Sequence, residues 1–315
     1  MELKERIKGA LAGMAYGDAL GVGAEFMNRQ ELSSYYPEGL REFSQIIRDP
    51  HRSQWKRGEW TNDTELATMM LESVLESDGF VPRAQCLKFQ EWFAEEERDI
   101  PPFLRLYCTN REWPDNPVAV AHKLWYSSGM AEASNETLHR GIVTGMTSLE
   151  SELNEDTRRS VLMTHDDGRC VATTMVMARV VRDELKQRRP DIDSLVSLCN
   201  AIDPRVVPYL KSAWEGDIES LGIDDNDTQT WTRKGMAAAL WGLWHHNTAA
   251  DTIHKVIDLG GDANTNACMA GALAGIRYGY DEVPAEKEKI IRFDYLIDLG
   301  ERLADYVDHK SVWQQ

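Results

Sequence analysis

The pentapeptide Gly9-Ala10-Leu11-Ala12-Gly13 recurs near the other end of the chain as Gly271-Ala272-Leu273-Ala274-Gly275. Each copy is followed three residues later by Tyr-Gly, at Tyr16-Gly17 and Tyr278-Gly279. Glycine at every fourth position lays a smooth stripe along one face of a helix. Each such glycine also costs about 1 kcal/mol relative to alanine in a helix interior. Close approach of two buried helices is what offsets that cost, so the two ends of the chain are expected to meet at the centre of the fold.

The rest of the chain carries the same helical period. Leu66, Met69, Met70, Ser73 and Val74 recur at three and four, as do Cys86, Phe89, Trp92 and Phe93. Val171, Thr174, Met175, Ala178, Val181 and Leu185 form a third stripe, Met236, Ala239, Leu240, Leu243 and Trp244 a fourth, and Ile253, Val256 and Ile257 a fifth. Strict alternation of the strand kind is scarce. Pro82, Pro190, Pro204 and Pro284 mark helix starts, whereas Pro101, Pro102, Pro114 and Pro117 read as loop. A chain of 315 residues built this way holds on the order of a dozen helices. No low-complexity linker divides it. The expectation is an all-α fold, a compact multi-helix bundle in a single domain over residues 1–315.

A formal net charge of −17 argues against a nucleic-acid backbone or an anionic membrane as partner. Arg48, His51, Arg52, Lys56 and Arg57 are a local basic exception, either a solvated loop or a segment that reaches toward an anionic ligand. The five cysteines are scattered and form no C-x-x-C pair, which fits a reducing cytoplasm better than a disulfide framework or a thiolate zinc site. Asp18 interrupts the apolar N-terminal stretch, so that stretch reads neither as a signal sequence nor as a membrane span.

Two segments concentrate oxygen ligands just before apolar helices: Gly58-Glu59-Trp60-Thr61-Asn62-Asp63-Thr64-Glu65 and Gly260-Gly261-Asp262-Ala263-Asn264-Thr265-Asn266. Asp, Asn and Thr at such positions are ordinary helix caps, worth about 1 kcal/mol each. A cap needs one oxygen, however, and each segment offers three or more in succession. Clustered hard oxygens suit Mg²⁺, Mn²⁺ or Ca²⁺. Glu25 follows a glycine-rich turn, and His165 lies in Met163-Thr164-His165-Asp166-Asp167 before another long helix.

In order, the motifs are G-x-L-x-G-x-x-x-G-D-A-L-G-x-x-x-E from Gly9, W-T-N-D-T from Trp60, T-H-D-D from Thr164, and G-G-D-x-N-T-N-x-x-x-x-G-A-L-A-G from Gly260. Together they resemble the ADP-ribosylglycohydrolase family over about Gly9 to Gly279. The resemblance implies an all-helical domain of that family's type, with a central cleft for two divalent ions, usually Mg²⁺ or Mn²⁺. It also implies cleavage at ribose C1″ of an ADP-ribosyl group joined to an acceptor. Carried over, Thr61, Asn62 and Asp63 supply one metal segment, and Asp262, Asn264 and Thr265 the other. Glu25 and Asp63 become the catalytic candidates, and Asn135, Arg140, His165 and Gly261 the substrate-binding ones.

The chain departs from the family pattern at the centre of the cluster. Family members usually read T-D-D and D-x-D-T, where this chain has Asn62 and Asn264. An amide offers a neutral oxygen where a carboxylate carries charge, and two divalent ions close together repel strongly. One divalent cation (Mg²⁺ or Mn²⁺), or none, is therefore expected. Glu136 stands where the family commonly has glycine beside the ligand's phosphates, and a carboxylate there would be repulsive; Arg140 remains, either to pair with phosphate or to tie helices together. The leading expectation is a hydrolase acting at the anomeric carbon of an ADP-ribosyl or smaller ribosyl group. The rival is a catalytically silent relative that binds a nucleotide or a ribosylated ligand.

Overall fold

A computed structural model describes residues 1–310 and 312, apart from 96, 97 and 99. Among the described residues fifteen α-helices run in chain order: α1 (Leu3–Gly21), α2 (Arg29–Tyr35), α3 (Asn62–Ser77), α4 (Pro82–Glu95), α5 (Pro102–Cys108), α6 (Pro117–Ser127), α7 (Leu138–Thr147), α8 (Leu153–Leu162), α9 (Gly168–Leu185), α10 (Ile192–Ile202), α11 (Val207–Glu215), α12 (Thr232–His245), α13 (Ala249–Ile257), α14 (Ala263–Tyr278) and α15 (Phe293–His309). Among the described residues there is no strand, only two isolated bridges, Met27 with Gly261 and Ser134 with Trp231. The all-α expectation holds. Pro102 and Pro117, read from sequence as loop, instead open α5 and α6. Proline at a first helical position surrenders an N–H that would have had no partner anyway.

α1 and α14 form the central antiparallel pair. A Cβ built on Gly9 would stand 2.4 Å from the Gly275 carbonyl oxygen, one on Gly13 2.2 Å from that of Gly271, and one on Gly17 2.0 Å from that of Ala267. These backbones touch at a spacing that no side chain permits, and the chain's two ends do meet in the core. Residues of the stripes on α3, α9, α12 and α13 then pack around this pair, and one hydrophobic core joins Ile7 at the start of the chain to Val312 at its end. A second cluster, centred on Phe89, Tyr107 and Trp113, fills the space between α3, α4, α5 and α6. No helix among the described residues is long and apolar enough to cross a membrane.

The antiparallel register has a direct consequence for function. It sets the last turn of α1 against the first turn of α14: a Cβ on Gly21 would lie 2.5 Å from Asn264 Cα. The two oxygen-rich segments converge there.

Candidate active site

Asp18 anchors the site, although sequence analysis treated it only as an interruption. Fully buried on α1, its carboxylate accepts from Thr61 N (3.1 Å), Thr61 Oγ1 (2.9 Å), Thr64 N (3.0 Å) and Thr64 Oγ1 (2.7 Å). Four donors from the start of α3 thus close on one buried carboxylate, which fixes α3 against the central pair. Burial pushes the Asp18 carboxyl upward, opposed by these same hydrogen bonds. The available sequence signal was a charged residue on the smooth helix itself, where a buried acid must find partners.

Thr61 caps α3, accepting from Asp63 N at 3.4 Å. Asp63 Oδ2 is then ringed by Thr61 Oγ1 (3.3 Å), Thr265 Oγ1 (3.1 Å) and Asn264 Nδ2 (3.3 Å). The first and second segments, distant in sequence, are therefore in direct contact. Asp262 stands at the cap position of α14, but its side chain makes no cap hydrogen bond. It accepts instead from Asn135 Nδ2 at 2.8 Å, and burial together with the charge of Glu25 pushes its carboxyl up to about 6. Capping accounts for Thr61, while Asp262 is tied to Asn135 and to Thr265.

Glu25 reaches the site from a turn zipped to the second segment. Phe26 N donates to the Gly261 carbonyl (2.7 Å) and Gly261 N to that of Met27 (2.8 Å). Gly260 and Gly261 have φ of +73° and +67°, and a Cβ on Gly261 would lie 2.5 Å from the Ile223 carbonyl oxygen. The structure thus gives Gly261 a backbone role, holding the turn that carries Glu25. The basic stretch serves the same turn. Buried Arg52 donates to the carbonyls of Gly23 (2.9 Å) and Glu25 (2.6 Å). His51 Nε2 lies 2.6 Å from Glu25 Oε2, and that hydrogen bond raises the imidazole pKa against the effect of burial.

Glu25, Asn62, Asp63, Asn135, Asp262, Asn264 and Thr265 line one cleft of about 390 Å³, together with Phe26, Phe103 and Glu136. Arg140 and His165 are not on its wall. Arg140 is buried, donates to the Ser160 carbonyl, and places its guanidinium 5.8 Å from the Phe89 ring centre. His165 Nδ1 pairs with Thr164 Oγ1 (2.8 Å) and Nε2 with Ser134 Oγ (3.0 Å); burial and nearby Arg140 drive its pKa down to about 3, so the ring is neutral. Glu136 is on the wall, half-buried, and its carboxyl is pushed up to about 8 by burial and by Glu132. That shift favours the protonated form and weakens the repulsion expected of it from sequence.

The donors around Asp63 are hydroxyls and amides, all hard oxygens when turned toward a cation. Asn264 Oδ1 is buried with no hydrogen-bond partner, an orphaned acceptor on the side chain whose amide nitrogen donates to Asp63. Among the described residues no three His, Cys, Asp or Glu side chains gather as a metal cluster. Thr61, Asn264 and Thr265 thus place hydroxyl and amide groups around the single carboxylate of Asp63.

The profile of the ADP-ribosylglycohydrolase family matches residues 1–312. The chain belongs to the ADP-ribosylglycohydrolase family. It is similar to the ADP-ribosylarginine hydrolase Tri1 of Pseudomonas putida (strain GB-1), 25% identical over 96% of this chain and 78% of that protein. It is also similar to the ADP-ribosyl-[dinitrogen reductase] glycohydrolase of Rhodospirillum rubrum, at 24% identity over 89% of this chain and 88% of that one. A solved structure described as an ADP-ribosylglycohydrolase-related protein complex shares the fold, with a TM-score of 0.74 and 24% identity over 97% of this chain and 99% of its own.

Proposed function

We propose that this ADP-ribosylglycohydrolase family member hydrolyses the bond between the anomeric carbon of an ADP-ribosyl group and its acceptor. The observation that carries the proposal is the convergence of Glu25, Asp63, Asp262 and Thr265 on one cleft from three separate parts of the chain. Glu25 is the better base. Asp63 is already held by the Thr265 hydroxyl and the Asn264 amide, whereas the Glu25 turn is braced from behind by Arg52 and one of its oxygens by His51. As water oxygen bonds to C1″ and the bond from C1″ to the acceptor breaks, Glu25 takes a proton from water and then delivers that proton to the departing acceptor, which restores the carboxylate. Asp63 and Thr265 orient the ribose hydroxyls.

A cation would be held by Thr61, Asp63, Asn264 and Thr265, with Asn62 and Asp262 at its margin. When bound, Mg²⁺ or Mn²⁺ supplies polarisation of the ribose oxygens. The protonated Glu136 donates toward the ligand's phosphates. The names of the Pseudomonas and Rhodospirillum relatives support a protein-linked ADP-ribosyl group as substrate. Five free and buried thiols support the cytoplasm as its compartment.

The direct test is release of ADP-ribose from an ADP-ribosylated peptide by wild type, Glu25→Gln and Asp63→Ala. A positioned carboxylate contributes about a hundredfold or more, so both variants should fall by at least about that factor with unchanged circular dichroism. Full activity in both would remove the assignment. The rival silent binder rests on Asn62 and Asn264, and it predicts ligand binding with no release in wild type.

A further inference from the structure

At the opposite end of the central helix pair lies a larger pocket, about 490 Å³, whose character differs from that of the rest of the molecule. From Asp18 to Arg6 on α1 is twelve residues, about 18 Å along the helix, so this pocket and the cleft are separate. Arg6, Arg188, Arg189 and Arg277 line it, and Glu184 is the only carboxylate among its lining residues, in a chain of net charge −17. Part of this arginine content is structural. Arg6 donates to the carbonyls of Glu184 (2.8 Å) and Ile276 (3.1 Å), closing the C-terminal ends of α9 and α14. Arg277 is paired with Glu184 through Nε (2.9 Å) and Nη2 (2.5 Å).

That accounting leaves a remainder. Arg189 is exposed and stacks 5.0 Å over the Trp214 ring, held to no carboxylate among the described residues. Arg188 is more than half exposed and shares only Asp183 at 3.0 Å. Trp214 and Trp244 meet edge-to-face at 5.0 Å, leaving aromatic surface beside these guanidinia. Trp244 Nε1 and Arg6 Nε are buried and have no hydrogen-bond partner among the described residues. Two arginines with charge to spare and a tryptophan pair share one concavity of ligand size, and the two unpartnered donors are buried within residues of its wall. Guanidinia in this setting pair with phosphate oxygens, and indole rings bind flat π-systems.

We propose that this pocket is a second ligand site, for a small anion that carries both a phosphate and a flat ring: a nucleoside monophosphate in class. It stands independently of the chemistry proposed for the cleft. Phosphate lies between Arg188 and Arg189, and the base packs on the indole pair.

The test titrates AMP, pyrophosphate and adenosine into the full-length protein by calorimetry, with wild type, Arg188→Ala/Arg189→Ala and Trp244→Phe. Wild type should bind AMP saturably and more tightly than either fragment. The double variant, altered only at exposed side chains, should bind AMP at least tenfold more weakly while releasing ADP-ribose from substrate as wild type does. Trp244→Phe keeps an aromatic face but a smaller one, and should weaken AMP binding by a smaller factor. Removing two charges elsewhere, with Arg83→Ala/Lys88→Ala on α4, should leave AMP binding intact. Absence of saturable AMP binding, or affinity in the double variant within threefold of wild type, would overturn the site. Equal affinity for pyrophosphate and AMP would overturn the assignment of the ring.

Discussion

Gly13→Ala is the sharpest probe of how the helix pair builds the site. The added Cβ would lie 2.2 Å from the Gly271 carbonyl oxygen and 2.8 Å from its carbonyl carbon. Close carbon–oxygen contacts settle near 3.3 Å, so about 1.1 Å must be found. Both sides of the clash are backbone, and no rotamer can yield. α1 and α14 must part, and Gly9 against Gly275 and Gly17 against Ala267 lose contact with them. Overpacking of this kind costs about 1–3 kcal/mol, and the upper end applies where only backbone can move. Alanine recovers about 1 kcal/mol of helix propensity, for a net loss of about 2 kcal/mol. In a domain of this size that lowers Tm by about 3 °C, measured by scanning calorimetry. Gly300→Ala on α15 is the internal control, because its nearest foreign atom is the flexible Lys8 Cγ at 3.2 Å; it gains the same propensity and should be neutral or slightly stabilising. Gly13→Ala should also slow turnover, since parting the helices separates Asp18 and Thr61 from Asn264. A Gly13→Ala protein as stable as wild type would refute the close-packing argument.

Two further outcomes concern charge in the cleft. Asn264→Asp returns a carboxylate beside Asp63, adding an attraction to a divalent ion of several kcal/mol even at an effective dielectric of about 20; Mn²⁺ should bind at least about tenfold more tightly by calorimetry, and an unchanged affinity would place the ion elsewhere. Glu136 is neutral below about 8 and charged above it, so ADP-ribose affinity should fall between pH 7 and 9 in wild type and stay level in Glu136→Gln. Because its folded carboxyl holds a proton that the unfolded chain has released, wild type should also lose stability relative to Glu136→Gln as pH rises from about 4.5 to 8. Parallel pH profiles for the two proteins would contradict the assignment.

The helix pair was legible because glycine spacing is itself a packing instruction: Gly9, Gly13, Gly271 and Gly275 named their partners before any coordinate did. The two oxygen-rich segments were legible for a similar reason, since three oxygens in succession exceed what a cap requires. Asp18 was harder to assign. Local pattern shows a charge within an apolar helix, and only the tertiary fold shows Thr61 and Thr64 closing on it. Arg52 and His51 read as a solvated loop or one reaching toward an anion, yet buried Arg52 and half-buried His51 form the brace behind Glu25. Glu136 illustrates a further gap: sequence supplies the carboxyl, but its protonation state belongs to its surroundings.

The central claim is that the cleft turns over an ADP-ribosyl bond with a single cation. Its most direct measurement is ADP-ribose released per chain from an ADP-ribosylated arginine peptide, followed as Mn²⁺ is titrated into dialysed wild-type protein. The account predicts many turnovers, saturating at one ion per chain. Release no greater than in buffer, or activity that appears only when two ions are bound, would contradict it.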